Sequence, residues 1–204
     1  MKNLIRSFAA ILMGISISGL AAELPDLVTK SYDYKDFSSV MVSGPFKVKI
    51  VKGLEFKTIV KAQPDLIDKI KVVAVGKQLN VSYNGNGNLK TALVEITMPY
   101  LTGLKTEGAC DAALTGFSGH SLSIDFSGAS SCNASCSYDS IRATASGASK
   151  ITLTGKGNNL QAQASGASTL QADNYFVDQA IVDVSGASNA RVNAKNSVQG
   201  SASG

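Results

Sequence analysis

The chain has 204 residues, 44% of them hydrophobic but only 6% aromatic, with no Trp and 19 Gly. Its formal net charge is +4, and it carries one His and three Cys. This composition suits one domain whose core is built of small side chains. It excludes a disulfide-stapled mini-fold, because three unevenly placed cysteines leave at least one unpaired in the monomer.

Residues 1–22 read as a secretory signal peptide. Lys2 and Arg6 precede an apolar run from Phe8 to Leu20, with small residues at Gly19, Ala21 and Ala22. The run is too short to span a bilayer comfortably, and no Cys stands near the expected cut to suggest a bacterial lipid anchor. Loss of Lys2 and Arg6 takes the charge from +4 to +2, since no acidic residue goes with them. A mature chain this close to neutral argues against nucleic acid as a partner. The protein is expected to be exported, to the periplasm, the outer cell surface or the medium, with no transmembrane segment in the mature chain. Residues 23–36 form a lead-in, and residues 37–204 the domain.

The domain opens with "VMVSGPFKVKI", in which Val40, Val42, Val48 and Ile50 alternate with other residues around Ser43 and Gly44. Such period-two alternation is the mark of a strand with one buried face. "QPDLIDKI" (63–70) is a less regular excursion, "QLNVSY" (78–83) and "ALVEITM" (92–98) are further strands, and "NGNGN" (84–88) is a loop. "EGACDAAL" then sets Gly108 ahead of inward Ala112 and Leu114.

From there "SGAS" occurs four times, starting at Ser127, Ser146, Ser165 and Ser185, which are 19, 19 and 20 residues apart. One, three and five places before each start lie Phe126, Ile124, Leu122; Ala145, Ala143, Ile141; Ala164, Ala162, Leu160; and Val184, Val182, Ala180. All twelve are apolar, and the places between them are polar except at Ile181. Five and seven places after each start lie Cys132 and Ala134, Ile151 and Leu153, Leu170 and Ala172, Ala190 and Val192. A helix fits neither the period nor the glycines, each of which costs about 1 kcal/mol relative to Ala inside a helix. A hairpin meander would not return identical corners at even spacing. The pattern predicts a solenoid in which each coil lies on the one before, paired in parallel about 4.8 Å away. Gly turns each corner through positive φ, Ala leaves room for the neighbouring corner, and the Ser hydroxyls satisfy one another or the bent backbone. "SVQGSASG" puts Val198, Gly200 and Ala202 at inward places and stops inside a fifth copy, so the C-terminal end is expected to be truncated before its capping repeat.

The order of "FSSVMVSGPFKVKIVKG", "QLNVSY", "VEITMPYLTGLKTEGA" and the "SGAS" coils resembles the putative auto-transporter adhesin head (GIN) domain family over residues 37 to 204. The resemblance implies an all-β fold, a right-handed parallel β-helix with coils of about 19–20 residues, in an exported bacterial protein.

Chemistry-bearing residues are sparse. His120, in "TGFSGHS", reads as a solvated loop residue rather than a general base. Cys132 and Cys136 lack the second pair that a zinc site needs. Cys110 stands in the column of Ser130, Ser149 and Ser168, and all three cysteines read as buried small hydrophobes; a Cys110–Cys132 disulfide would be offset by two residues along the strand. Asp125, Thr144, Gln163 and Asp183 form one exposed column whose acids are roughly 14 Å apart at the strand spacing, wider than the carboxylate pairs of glycoside hydrolysis. No catalytic residue, metal ligand or cofactor is assigned. The opposite exposed columns are short and polar, and Ser131, Lys150, Thr152, Thr169, Gln171, Asn189 and Arg191 are the candidate binding face. The expected function is a non-enzymatic surface module, adhesin-like, binding a cell-surface glycan or a protein. The alternatives are a structural or regulatory envelope protein that engages a protein partner and, third, a polysaccharide-processing enzyme.

Overall fold

The computed structural model describes residues 27–85 and 92–204. The expected signal peptide lies outside them, as do positions 86–88 of "NGNGN". Among the described residues the chain is almost wholly β. β1 (Val28–Tyr32), β2 (Ser39–Ser43), β3 (Lys47–Lys52) and β4 (Lys57–Ala62) precede a single 3-10 turn, Ile67–Lys69, inside the irregular "QPDLIDKI". β5 (Ile70–Val75), β6 (Gln78–Tyr83) and β7 (Ala92–Met98) follow. The repeats hold β8 (Gly103–Glu107), β9 (Asp111–Phe126), β10 (Ser131–Ala145), β11 (Lys150–Lys156), β12 (Asn159–Ala164), β13 (Thr169–Ser185) and β14 (Asn189–Ser203).

Strands before and after each corner stack into two parallel columns. The first runs β6, β2, β8, then the second halves of β9 and β10, β12, and the second halves of β13 and β14. The second runs β7, β3, the first halves of β9 and β10, β11, and the first halves of β13 and β14. The result is a parallel β-solenoid. Its repeats stack in chain order, as the spacing predicts, but its N-terminal end does not: β2 and β3 form a coil held between β6–β7 on one side and β8–β9 on the other. The coil made earliest in the sequence is therefore second in space.

An end coil would leave its ladder and its apolar face open. Here antiparallel strands close it. β4 pairs with β7 and β1 with β4, while β5 folds back on β6. Leu66, Ile67 and Ile70 are buried beneath the end coil and complete its core. Period-two alternation identified β6 and β7 but not β1, β4 or β5, and it carries no information on which neighbour a strand chooses or in which direction.

The "SGAS" corners depend on their glycines and last serines. Gly128, Gly147, Gly166 and Gly186 take φ of 82°, 74°, 77° and 70°, a region where a side chain is strained. Space is equally short: a Cβ on Gly128 would lie 2.4 Å from the Gly108 carbonyl oxygen, and one on Gly147 2.7 Å from that of Gly128. The same carbonyls accept backbone bonds of 2.8 Å from Ala129, Ala148 and Ala167 in successive coils. Ala itself is exposed at these corners, so the close approach belongs to Gly, not to Ala as expected. The final hydroxyls turn to the backbone: Ser130, Ser149 and Ser168 donate to the carbonyls of Ser127, Ser146 and Ser165 at 2.9, 2.7 and 2.8 Å.

The edge opposite these corners obeys a different rule. The buried Tyr138 hydroxyl donates to Leu101 O at 2.6 Å, and the Tyr175 hydroxyl donates to Tyr138 O at 3.1 Å. Each link is 37 residues long, so it spans two coils. The coils passed over carry glycine. Gly119 would put a Cβ 3.0 Å from the Tyr138 ring, and Gly157 would put one 2.1 Å from Tyr138 O and 2.7 Å from the Tyr175 hydroxyl. Rings and glycines alternate coil by coil.

The inward rows form the core. Of the twelve positions read before the corners, ten are buried, and Val182 and Val184 are half-buried. Among those after the corners, Ala190 and Val192 are also half-buried, while the other six are buried. The exceptions cluster at the far end. Val198 pairs across from Ala180 on an inward row but is 56% exposed, because no described strand stacks on the outer side of β14.

Candidate binding faces

Register fixes what the outward side chains form. On the second column, Lys47, Asp111, Ser131, Lys150, Thr169 and Asn189 follow one another across successive strands. The neighbouring row, two residues further along each strand, runs Lys49, Ala113, Asn133, Thr152, Gln171 and Arg191. All seven residues of the expected binding face thus lie in two adjacent rows, spaced by about 4.8 Å between coils and about 6.6 Å between rows. Lys150, Asn189 and Arg191 are exposed, and Ser131, Thr152, Thr169 and Gln171 half-exposed. Ser131 donates its hydroxyl to the Asp111 carboxylate of the preceding coil. Each side chain sits on a strand bonded on both sides, apart from those on β14, so the array is rigid.

The first column presents a second outward face. Its rows include Ser123, Arg142, Gln161 and Ile181, and Lys105, Asp125, Thr144, Gln163 and Asp183. Arg142 forks two glutamines of the next coil, reaching Gln161 Oε1 at 3.3 Å and Gln163 Oε1 at 3.2 Å. Lys105 holds Glu107 at 2.9 Å, and this bond raises the lysine's pKa. Asp125 accepts the Ser123 hydroxyl at 3.0 Å. Shallow depressions mark this face: one of about 360 Å³ between Lys105, Glu107, Asp125, Ser127, Thr144 and Ser146, another of about 220 Å³ between Gln163, Asp183, Ser185 and Ser201. Reading from the sequence singled out only the Asp125 to Asp183 column here. Arg142 and its glutamines were recognisable by their 19- and 21-residue offsets, which put them in adjacent coils.

The remaining reactive groups are placed as follows. His120 Nδ1 meets Asp139 Oδ2 at 2.8 Å, with the ring wholly exposed. Asp125 and Asp183 stand three strand pairings apart along their row. Cys110, Cys132 and Cys136 are buried free thiols, and Cys110 lies across from Ser130 while Cys132 lies across from Ala112. Burial pushes the Cys110 and Cys136 thiols up to about 12, and Cys132 higher still. Thiols held so firmly protonated are poor nucleophiles and poor metal ligands. No group of His, Cys, Asp and Glu suited to a metal ion occurs among the described residues. Among them, too, no helix is long and apolar enough to cross a membrane.

Charge is unevenly distributed. Residues 27–85 carry ten lysines against five carboxylates, whereas residues 92–204 carry six basic side chains against eight acidic ones. The N-terminal end is basic and the repeats are slightly acidic.

Comparison with known proteins agrees with this architecture. A crystal structure of a putative adhesin from Bacteroides fragilis superposes with a TM-score of 0.83 at 17% identity, covering 87% of this chain and 84% of that one. A putative lipid binding protein from Parabacteroides distasonis gives 0.62 at 11% identity, covering 87% and 93%. A putative adhesin from the same organism gives 0.61 at 12% identity, covering 88% and 96%. At these identities the likeness is one of fold. No curated protein matches the chain. A family model matches residues 36–204, the whole solenoid with both columns and every corner described above, and the chain belongs to the family described as putative auto-transporter adhesin, head GIN domain.

Proposed function

We propose that the protein is an exported, non-enzymatic binding module of the cell surface, adhesin-like, whose second-column face holds a glycan. The observation that carries this reading is the double row Ser131–Lys150–Thr169–Asn189 and Thr152–Gln171–Arg191, repeated at strand spacing on a rigid sheet. Short hydroxyl and amide side chains both donate and accept, which matches sugar hydroxyls. Lys150 and Arg191 add donors for a carboxylate or sulfate on the chain. The chain has no Trp, so each sugar unit would rest on hydrogen bonds rather than on a stacked indole, and affinity would come from several coils gripping successive units of one polymer.

A glycan array probed with the purified protein tests this directly. Retention of extended glycans, lost in a Thr152→Ala, Gln171→Ala, Arg191→Ala variant that melts like wild type, is the expected result. Absence of any retained glycan would remove the sugar-binding reading, and recovery of a single envelope protein in a pull-down would replace it with the protein-partner reading.

A further inference from the structure

Between β3 and β4 the chain makes a short tip, Gly53-Leu54-Glu55-Phe56. Leu54 is 97% exposed. Its base is aromatic, for the Phe56 ring lies 4.9 Å from Phe37 and 5.9 Å from Tyr100 in edge-on contact. Tyr100 is itself 44% exposed. Backbone bonds continue the same edge: Thr102 N donates to Ser38 O at 2.7 Å, and Ser39 N to Lys77 O at 3.0 Å. The second bond brings in the β5–β6 hairpin, where Val75 is 65% exposed. Leu54, Tyr100 and Val75 therefore stand along one edge at the basic end of the solenoid.

Cations accompany them. Lys52 and Lys57 flank the tip and Lys77 follows Val75 by two residues, all exposed. None of the three is ion-paired among the described residues; the Lys52 amine reaches only the Ser118 hydroxyl, at 3.2 Å. Glu55 is the one carboxylate on the tip. An apolar point above an aromatic base with a collar of lysines has the composition of a membrane interface: apolar side chains at the acyl boundary, amphipathic rings at headgroup level, amines on the phosphates.

We propose that this edge docks the protein onto an anionic phospholipid bilayer, with Leu54 at the acyl boundary, Tyr100 among the headgroups and Lys52, Lys57 and Lys77 against the phosphates. The positive charge of residues 27–85 favours a lipid surface over a neutral protein partner. Each lysine near an anionic surface strengthens binding by about fivefold. The proposal goes beyond glycan binding, which uses side chains further along the solenoid.

Co-sedimentation with phosphatidylcholine vesicles, with and without about one third phosphatidylglycerol, tests it. Wild type should bind the anionic vesicles, and less so as salt rises. Leu54→Ser should weaken binding by about tenfold, from the apolar area withdrawn. Lys52→Glu with Lys57→Glu should weaken it at least as much. Because Leu54 touches so little, Leu54→Ser should keep the wild-type melting temperature and glycan retention. Failure of wild type to bind anionic vesicles at low salt would overturn the proposal, as would unchanged binding by Leu54→Ser or equal binding to pure phosphatidylcholine.

Discussion

The solenoid turns on two edges built on different principles. At the "SGAS" edge the coils of Gly128, Gly147 and Gly166 do the same thing, using a positive-φ Gly, one backbone bond to the coil below and one serine that closes the bend on itself. At the opposite edge the unit is two coils, because Tyr138 and Tyr175 each reach across a glycine-bearing coil to the backbone beyond. A corner that repeats every coil can be extended one copy at a time. A corner that repeats every second coil ties non-adjacent coils together, so its failure should spread further.

That contrast can be broken from either side. The largest effect is expected at Gly157→Val, where the new side chain would displace both Tyr138 O and the Tyr175 hydroxyl; a loss of about 4 kcal/mol or failure to fold is expected, read by denaturant unfolding. Gly147→Val should cost a few kcal/mol, roughly 3, through forbidden φ and the Gly128 carbonyl beneath it; an unchanged melting temperature would mean Gly147 does not turn the coil. Tyr175→Phe leaves the Tyr138 amide and carbonyl without their buried partner and should cost about 2 kcal/mol. Ser149→Ala removes one closing bond, for about 1 kcal/mol.

A fifth probe distinguishes the interior from both edges by pH. The thiols have folded pKa values raised by burial from 9.0 to about 12 at Cys110 and Cys136. A raised acid means that the unfolded chain releases its proton first. The stability is fully present below pH 9 and is lost as pH climbs toward 12. Replacing the three cysteines by Ala should flatten the first part of that decline, and the buried Tyr175, raised to about 12, should sustain the rest.

Much of this was legible in the residues, and for a physical reason. Period-two alternation and the 19- or 20-residue return depend only on local geometry, so Ile151, Leu153 and their counterparts fall inside and Lys150, Thr152 and theirs outside, as read. The two rows of the candidate face follow from that same register. What was not legible depends on choice of partner. β2 alternates as clearly as β8, but nothing in "SVMVS" says that "QLNVSY" will lie beneath it. The tyrosine links escaped notice because their period is two coils, and a shift in strand register between Ser135 and Cys136 hides the alignment. The membrane-facing tip escaped because Leu54, one apolar residue in a turn, has no pattern at all.

The displaced first coil bears on how the chain folds. Repeats meet across about 20 residues, as Ser146 and Phe126 do, but Ser38 meets Lys77 39 residues later on one side and Thr102 64 residues later on the other. Closing the longer loop costs about 1 kcal/mol more in chain entropy. Local contacts form fastest, so the repeats are the natural nucleus and the N-terminal coil the last piece to lock. A chain synthesised from its N-terminus would then hold β2 and β3 unpaired until β6 and β7, and after them β8 and β9, give them edges to join.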